Sequence, residues 1–171
     1  MCSSDLYGEG VDAAPDSLAI LGIPIDNVTM DTAVEMILKA MSGEKTLQIC
    51  FVNAHCANIA YRNEEYRQVL SSAYANFADG IGLKLAGKLL RREIRQNVNG
   101  TDLFPILCKA MENTPNSIYL LGGTPGISEA VAAWIQEHYP SLRIAGHNDG
   151  YFTPADEARL VLRIAESKAT L

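Results

Sequence analysis

The chain has 171 residues, 48% of them apolar and 20% charged, which is the size and composition of one ordinary globular domain with a real core. Fourteen basic residues against 20 acidic ones give a net charge of −6, which counts against a nucleic-acid binder, whose phosphate contacts need a basic face. No run of 18 apolar residues occurs, so no membrane-spanning helix is expected.

The opening stretch MCSSDLYGEGVDAAPDS is acidic and glycine-rich and has no apolar core segment. It reads as neither a signal peptide nor a transit peptide, and Cys2 has no lipoprotein context. Residues 1–16 are expected as a flexible tail and 17–171 as one domain of a cytoplasmic protein. From there short apolar runs alternate with amphipathic ones, the pattern of an α/β domain: a single Rossmann-like unit with a mainly parallel sheet flanked by helices. Strands are predicted over Leu18–Ile23, Leu47–Val52, Tyr74–Phe77, Ser117–Leu121 and Leu142–Ala145. The first helix starts at Thr29-Met30-Asp31, repeats its apolar positions at Ala33, Ile37, Leu38 and Met41, and has Gly43 just past its end. Helices follow over Ala54–Tyr61, Glu64–Ser71, Gly80–Leu90, Thr101–Met111, Gly126–His138 and Pro154–Ser167.

In such folds ligands lie at the C-terminal ends of the strands. Four polar or glycine-rich turns are expected there: at Asn53, at Asp79-Gly80, at Gly122-Gly123-Thr124-Pro125-Gly126, and from Gly146 to Phe152. Asp79 is the strongest catalytic candidate, because Gly80 and Gly82 after it let a substrate approach the backbone closely. The competing role for Asp79 is to cap the following helix, for which Asp is well suited. Asn53 has the same two roles open, cap or ligand contact. His55 is a general base by type, but ranks below Asp79. In Asn99-Gly100-Thr101-Asp102, Thr101 or Asp102 is expected to cap or complement a helix start, whose first amides alternatively face an anionic ligand. The Gly122–Gly126 turn offers backbone N–H groups to a phosphate, or is simply a tight turn with Pro125 at the first helical position. His147, Asp149, Gly150 and Tyr151 form a loop in which the aromatic ring could stack on a nucleobase, while Asp149-Gly150 is also a turn signal.

Lys84, Lys88, Arg91, Arg92 and Arg95, interleaved with Leu83, Leu85, Leu89 and Leu90, make an amphipathic helix with a cationic face. That face is either simply solvated or attracted to pyrophosphate or an anionic membrane surface. The four cysteines contain no C-x-x-C pair, and the three histidines show no metal-ligand spacing. Cys50 and Cys108 are expected to pack in the core.

LGIPIDNVTMDTAVEMI, FVNAHCANIA, ANFADGIGLKLAGKLL, NVNGTDLF, YLLGGTPGISEAV and RIAGHNDGYF, in that order, resemble the WecG/TagA/CpsF glycosyltransferases, glycosyltransferase family 26. The resemblance covers residues 18 to about 168. It implies transfer of a sugar from a UDP-sugar to a polyprenyl-diphosphate-linked sugar, with inversion and with no obligatory metal or other cofactor. It places this at the cytoplasmic membrane face, as a peripheral contact, in exopolysaccharide, teichoic acid or related cell-wall synthesis. The donors among relatives are N-acetylmannosamine, its uronic acid and glucose, and FVNAHCANIA and NVNGTDLF are closest to the hexosyl-transferring members. The family's base falls on Asp79, and the Gly122–Gly126 turn and Gly146–Phe152 loop are the candidates for holding UDP.

Two departures stand out. Phe51 replaces a Thr that some members carry two positions before the Asn. Beyond position 171 the family continues with another strand, a glycine turn, a proline-lysine-glutamine-glutamate-like motif and often a basic membrane appendage. The resemblance therefore implies a helix from Pro154 with no strand after it, an open sheet edge and self-association. Two further functions stay open at this point. One is a catalytically incomplete nucleotide-sugar-binding subunit or fragment needing a partner. The other is a generic nucleotide-dependent oxidoreductase, against which the absence of G-x-G-x-x-G counts.

Overall fold

The structure, a computed structural model, describes residues 16–43 and 45–171. The expected N-terminal tail, apart from Asp16, and Cys2 lie outside them. Asp16 itself is anchored: its carbonyl accepts the Asn27 N–H at 2.7 Å, and its carboxylate meets the Arg92 guanidinium at 3.0 Å.

The chain opens with a hairpin, β1 (Ser17–Ile20) and β2 (Ile23–Asp26), where a single strand over Leu18–Ile23 is expected. Leu21 and Gly22 make the two-residue turn with φ of 51° and 81°, and a tight hairpin needs positive φ at both positions. Leu is a poor signal for that conformation, which is why the sequence reads as one continuous strand. Leu18, Ile20, Ile23 and Ile25 all point into the core.

Helix α1 (Met30–Met41) follows, capped by Thr29, whose side-chain oxygen accepts the Thr32 N–H. Then come β3 (Ile49–Val52), α2 (Ala54–Arg62), α3 (Glu64–Ser72), β4 (Ala75–Ala78) and α4 (Ile81–Leu89). The second half contains α5 (Gly100–Met111), β5 (Ser117–Leu121), α6 (Ile127–His138), β6 (Arg143–Asn148) and α7 (Pro154–Ser167). The first sheet has the order β1-β2-β4-β3, with β2, β4 and β3 mutually parallel. Strands β5 and β6 form a separate parallel pair.

One core nevertheless spans both sheets. Phe77 of β4, Ile37 of α1, Leu107 and Met111 of α5, Ile118 of β5 and Ile135 of α6 belong to one buried cluster. A second cluster on the opposite face of the first sheet joins Ile25, Val52, Ala57, Leu70, Ala78 and Leu83. Successive strand residues face opposite sides, so Phe77 enters one layer and Ala78 the other. All four residues of β4 are buried, which makes it the central strand. The fold is the expected α/β Rossmann-like one.

After α7 the chain turns at Lys168, φ 52°. The Leu171 N–H then donates to the Ser117 carbonyl at 3.1 Å, and the Tyr119 N–H donates to the Leu171 carbonyl at 2.7 Å. That is the bonding pattern of a parallel bridge to Ile118. The residues after α7 thus begin to pair along β5, where no such pairing is expected from the sequence. A 460 Å³ trough lies there, lined by the end of α1, Ile49 of β3, Tyr119 and Leu121 of β5, and Leu171.

Candidate active site

The end of β4 carries Asp79, Gly80 and the start of α4, and Asp79 does not cap that helix. The N-cap of α4 is Gly80, with φ 91° and ψ 163°, and no side chain caps this helix. The Asp79 backbone N–H donates to the Val52 carbonyl at 2.8 Å, which ties the residue to the end of β3. Its half-buried carboxylate has no hydrogen-bond or ion-pair partner among the described residues. A carboxylate held at a strand end and left unpartnered is available to a substrate.

The neighbouring candidates behave differently. The Asn53 side-chain oxygen accepts the N–H groups of His55 and Cys56, both at 3.0 Å, so it caps α2. Its carbonyl oxygen is committed to the backbone, and its NH2 group is the part left to a ligand. Asn99, not Thr101 or Asp102, caps α5: its side-chain oxygen accepts the Asp102 N–H at 2.8 Å. Its amide donates to the Asp102 carboxylate at 2.6 Å, a reciprocal arrangement like a capping box. Asp102 is therefore occupied in the cap, and the helix starts at Gly100, one residue earlier than expected. His55 is exposed in the first turn of α2.

The segment before α5 crosses the end of β4. The Val98 N–H donates to the Ala78 carbonyl at 2.8 Å, and the Asn97 side-chain oxygen accepts the Gly80 N–H. Asn97 therefore fixes the backbone next to Asp79, a role that the sequence reading missed. The signal was present in NVNG, which holds two asparagines where one suffices to cap a helix. On the other side, Gly82 allows α4 to close on α2, since a Cβ there would lie 2.8 Å from the Ala54 Cβ. Asn53, Asp79, Gly80, Asn99 and Gly100 are thus gathered at the adjoining ends of β3 and β4.

The second group forms around β5 and β6. Gly122, Gly123 and Gly126 all have positive φ, at 138°, 74° and 91°, which an L side chain resists. The Gly122 N–H donates to the Asn148 carbonyl at 3.0 Å and the Gly150 N–H to the Gly123 carbonyl at 2.9 Å. The turn and the following loop therefore pack on one another, and a Cβ on Gly150 would sit 3.3 Å from the Gly122 Cα. Helix α6 begins at Ile127 with Gly126 as its uncapped N-cap. Pro125 is thus in the turn and not at the first helical position, because the left-handed Gly126 intervenes. Thr124 is exposed beside it.

Gly146 to Asn148 belong to β6, so His147 is an exposed strand residue and not part of a loop as expected. The strand runs on because Gly146 lets the Tyr119 ring approach to 2.6 Å from where a Cβ would be. The Asp149 carboxylate accepts the Tyr151 N–H at 2.9 Å, the geometry of an Asx turn. The Tyr151 ring is 74% exposed, free to cover a planar ligand. No hydrogen bond links this group to the Asp79 group among the described residues.

Elsewhere, burial raises the Asp26 carboxyl above its ordinary value, opposed by the Asn76 N–H that it accepts at 2.7 Å. Burial pushes the Cys108 thiol up to about 11, and its side chain is fully buried, as expected for core packing. Among the described residues no three His, Cys, Asp or Glu side chains converge as a metal-ligand set, and no helix is long and apolar enough to cross a membrane.

The sequence model of the glycosyl transferase WecG/TagA/CpsF family matches residues 18–171. Among curated proteins, the N-acetylglucosaminyldiphosphoundecaprenol N-acetyl-beta-D-mannosaminyltransferases of Staphylococcus aureus strains MRSA252 and NCTC 8325 / PS 47 are each 30% identical over 140 residues. The aligned region is 81% of this chain and 55% of each relative, so the chain spans about half the length of those relatives.

Proposed function

The chain belongs to the WecG/TagA/CpsF glycosyltransferase family, and we propose that it transfers a sugar from a UDP-sugar to a polyprenyl-diphosphate-linked sugar, with Asp79 as the base. The observation that carries this reading is the release of Asp79 from capping: Gly80 takes that position, and the carboxylate has no partner among the described residues. Asp79 would accept the proton of the acceptor hydroxyl as that oxygen bonds to C1 of the donor sugar. The bond from C1 to the UDP oxygen breaks, and inversion follows from attack on the opposite face.

The leaving diphosphate gathers negative charge, which backbone N–H donors stabilise best when fixed in advance. The uncapped start of α6, with Gly122 and Gly123 ahead of it, supports assignment of the diphosphate there. Tyr151 and the Asx-turned loop beside it fit the uridine. Asn53, through its NH2 group, together with Gly80, Asn97, Gly100 and Thr101, lies where donor sugar and acceptor would meet. His147 stays a candidate contact on the β6 side.

The activity for which the relatives are named supports an N-acetylmannosamine-type donor and an N-acetylglucosaminyl-diphosphate lipid acceptor, in cell-wall polymer or teichoic acid synthesis. The experiment is UDP binding by calorimetry with UDP release measured from candidate donors and a short-chain acceptor. Turnover that Asp79→Asn abolishes while UDP affinity is kept supports the assignment. Equal turnover in Asp79→Asn refutes it, and binding without turnover by the unmodified chain points to a nucleotide-sugar-binding subunit instead.

A further inference from the structure

Helix α4 starts two residues after Asp79 and divides sharply by exposure. Leu83 and Gly87 are buried against the second core cluster. On the opposite side Ile81, Leu85 and Leu89 are 85%, 61% and 78% exposed, and Leu90 beyond the helix end is 53% exposed. The spacing of four sets Ile81, Leu85 and Leu89 in one ridge along the helix. Exposed leucines scattered singly mean little, but a continuous apolar ridge on one helix marks a contact surface.

The ridge widens sideways into an apolar groove of 340 Å³ between α4, Asn58 of α2 and Leu21 of the hairpin turn. Lys84 and Lys88 flank the ridge on its other side, away from the groove, and Arg91 follows the helix end. None of these three has an ion-pair partner among the described residues, whereas Arg92 and Arg95 are engaged with Asp16. In a chain of net charge −6, this is a local concentration of unpaired cations around exposed apolar side chains. A protein partner of ordinary composition has no reason to be acidic around an apolar centre, but an anionic bilayer has that structure everywhere: a charged layer over hydrocarbon.

We propose that α4 is a membrane-docking element. Ile81, Leu85 and Leu89 enter the acyl boundary of an anionic lipid surface, and Lys84, Lys88 and Arg91 meet its headgroups. The geometry gives the docking a purpose. The ridge begins at Ile81, beside Asp79, so a lipid-anchored substrate in the same bilayer would present its polar head to the end of β4. That last step rests on the transferase reading above; the docking itself does not.

The test is co-sedimentation of the full chain with vesicles of phosphatidylglycerol and phosphatidylcholine, against phosphatidylcholine alone. The expected result is binding to the anionic vesicles that salt weakens. Lys84→Gln with Lys88→Gln should weaken it by about tenfold or more, since each cation near such a surface contributes about 1 kcal/mol. Leu85→Ser with Leu89→Ser should also abolish most binding, with the thermal midpoint kept because both side chains are exposed. Failure of the parent chain to sediment overturns the proposal, as does binding by both double variants as strong as the parent's. If Leu85→Ser with Leu89→Ser instead converts a dimer into a monomer and leaves sedimentation unchanged, the ridge belongs to a second copy. Vesicle binding without sugar transfer would refute the transferase reading alone; transfer to a short soluble acceptor without vesicle binding would refute only the docking.

Discussion

Asp79→Ala separates a catalytic carboxylate from a capping one, because the two roles predict different amounts of lost stability. A capping Asp replaced by a non-capping residue costs about 1 kcal/mol, and in a chain of this size that is a fall of about 2–4 °C in the thermal midpoint. The structure assigns the cap of α4 to Gly80, and the Asp79 side chain has no partner among the described residues, so no hydrogen bond seen there is lost in the variant. What remains is the attraction of a carboxylate for the helix start, about 0.3–1 kcal/mol and screened by salt. Melting at high ionic strength should therefore show Asp79→Ala within about 1–2 °C of the parent chain. Asn99→Ala is the internal comparison. It loses the 2.8 Å bond from the Asp102 N–H and the 2.6 Å bond to the Asp102 carboxylate, a true cap worth about 1–2 kcal/mol and about 2–8 °C. Turnover should show the reverse order, with Asp79→Ala down by about 10²–10⁴ as expected for loss of a general base. If Asp79→Ala melts as low as Asn99→Ala, or retains turnover, the assignment of Asp79 is wrong.

Other expectations follow from single contacts. Asn97→Ala removes the acceptor of the Gly80 N–H and should lower kcat with little change in UDP affinity, read by steady-state kinetics and calorimetry. Gly82→Ala sets a Cβ at 2.8 Å from that of Ala54 and should cost about 1–3 kcal/mol by overpacking, restored in the double variant with Ala54→Gly, as denaturant titration would show. Asp26 has a raised carboxyl in the folded chain, so the folded state holds its proton more tightly than the unfolded one. Its contribution to stability is full below the ordinary value of 3.8 and is lost as pH rises through the raised value. Asp26→Asn should flatten that part of the stability–pH curve, and an unchanged curve would contradict it. Cys108, buried with its thiol pushed up to about 11, should resist alkylation at neutral pH in the folded chain and react only in denaturant.

The alternation of apolar runs with amphipathic stretches, together with the turn residues between them, was enough to place the helices, most strands and the α/β class, because burial in a parallel sheet demands that pattern. The resemblance of its motifs was enough for the family and for Asp79 as the candidate. The hairpin was hidden, since Leu21 takes a conformation that its side chain does not advertise. The division into two hydrogen-bonded sheets was equally illegible, because pairing depends on residues far apart in sequence.

For the site, local chemistry left the polar residues with two roles, and the folded backbone chose between them. Asn53 and Asn99 became caps, Asp79 did not, and Asn97 acquired a role from a backbone 17 residues away. The amino-acid sequence by itself determined which residues are able to do chemistry. The tertiary structure decided which of them remain free for it, because a polar side chain serves a ligand only when the folded backbone has not already taken its hydrogen bonds.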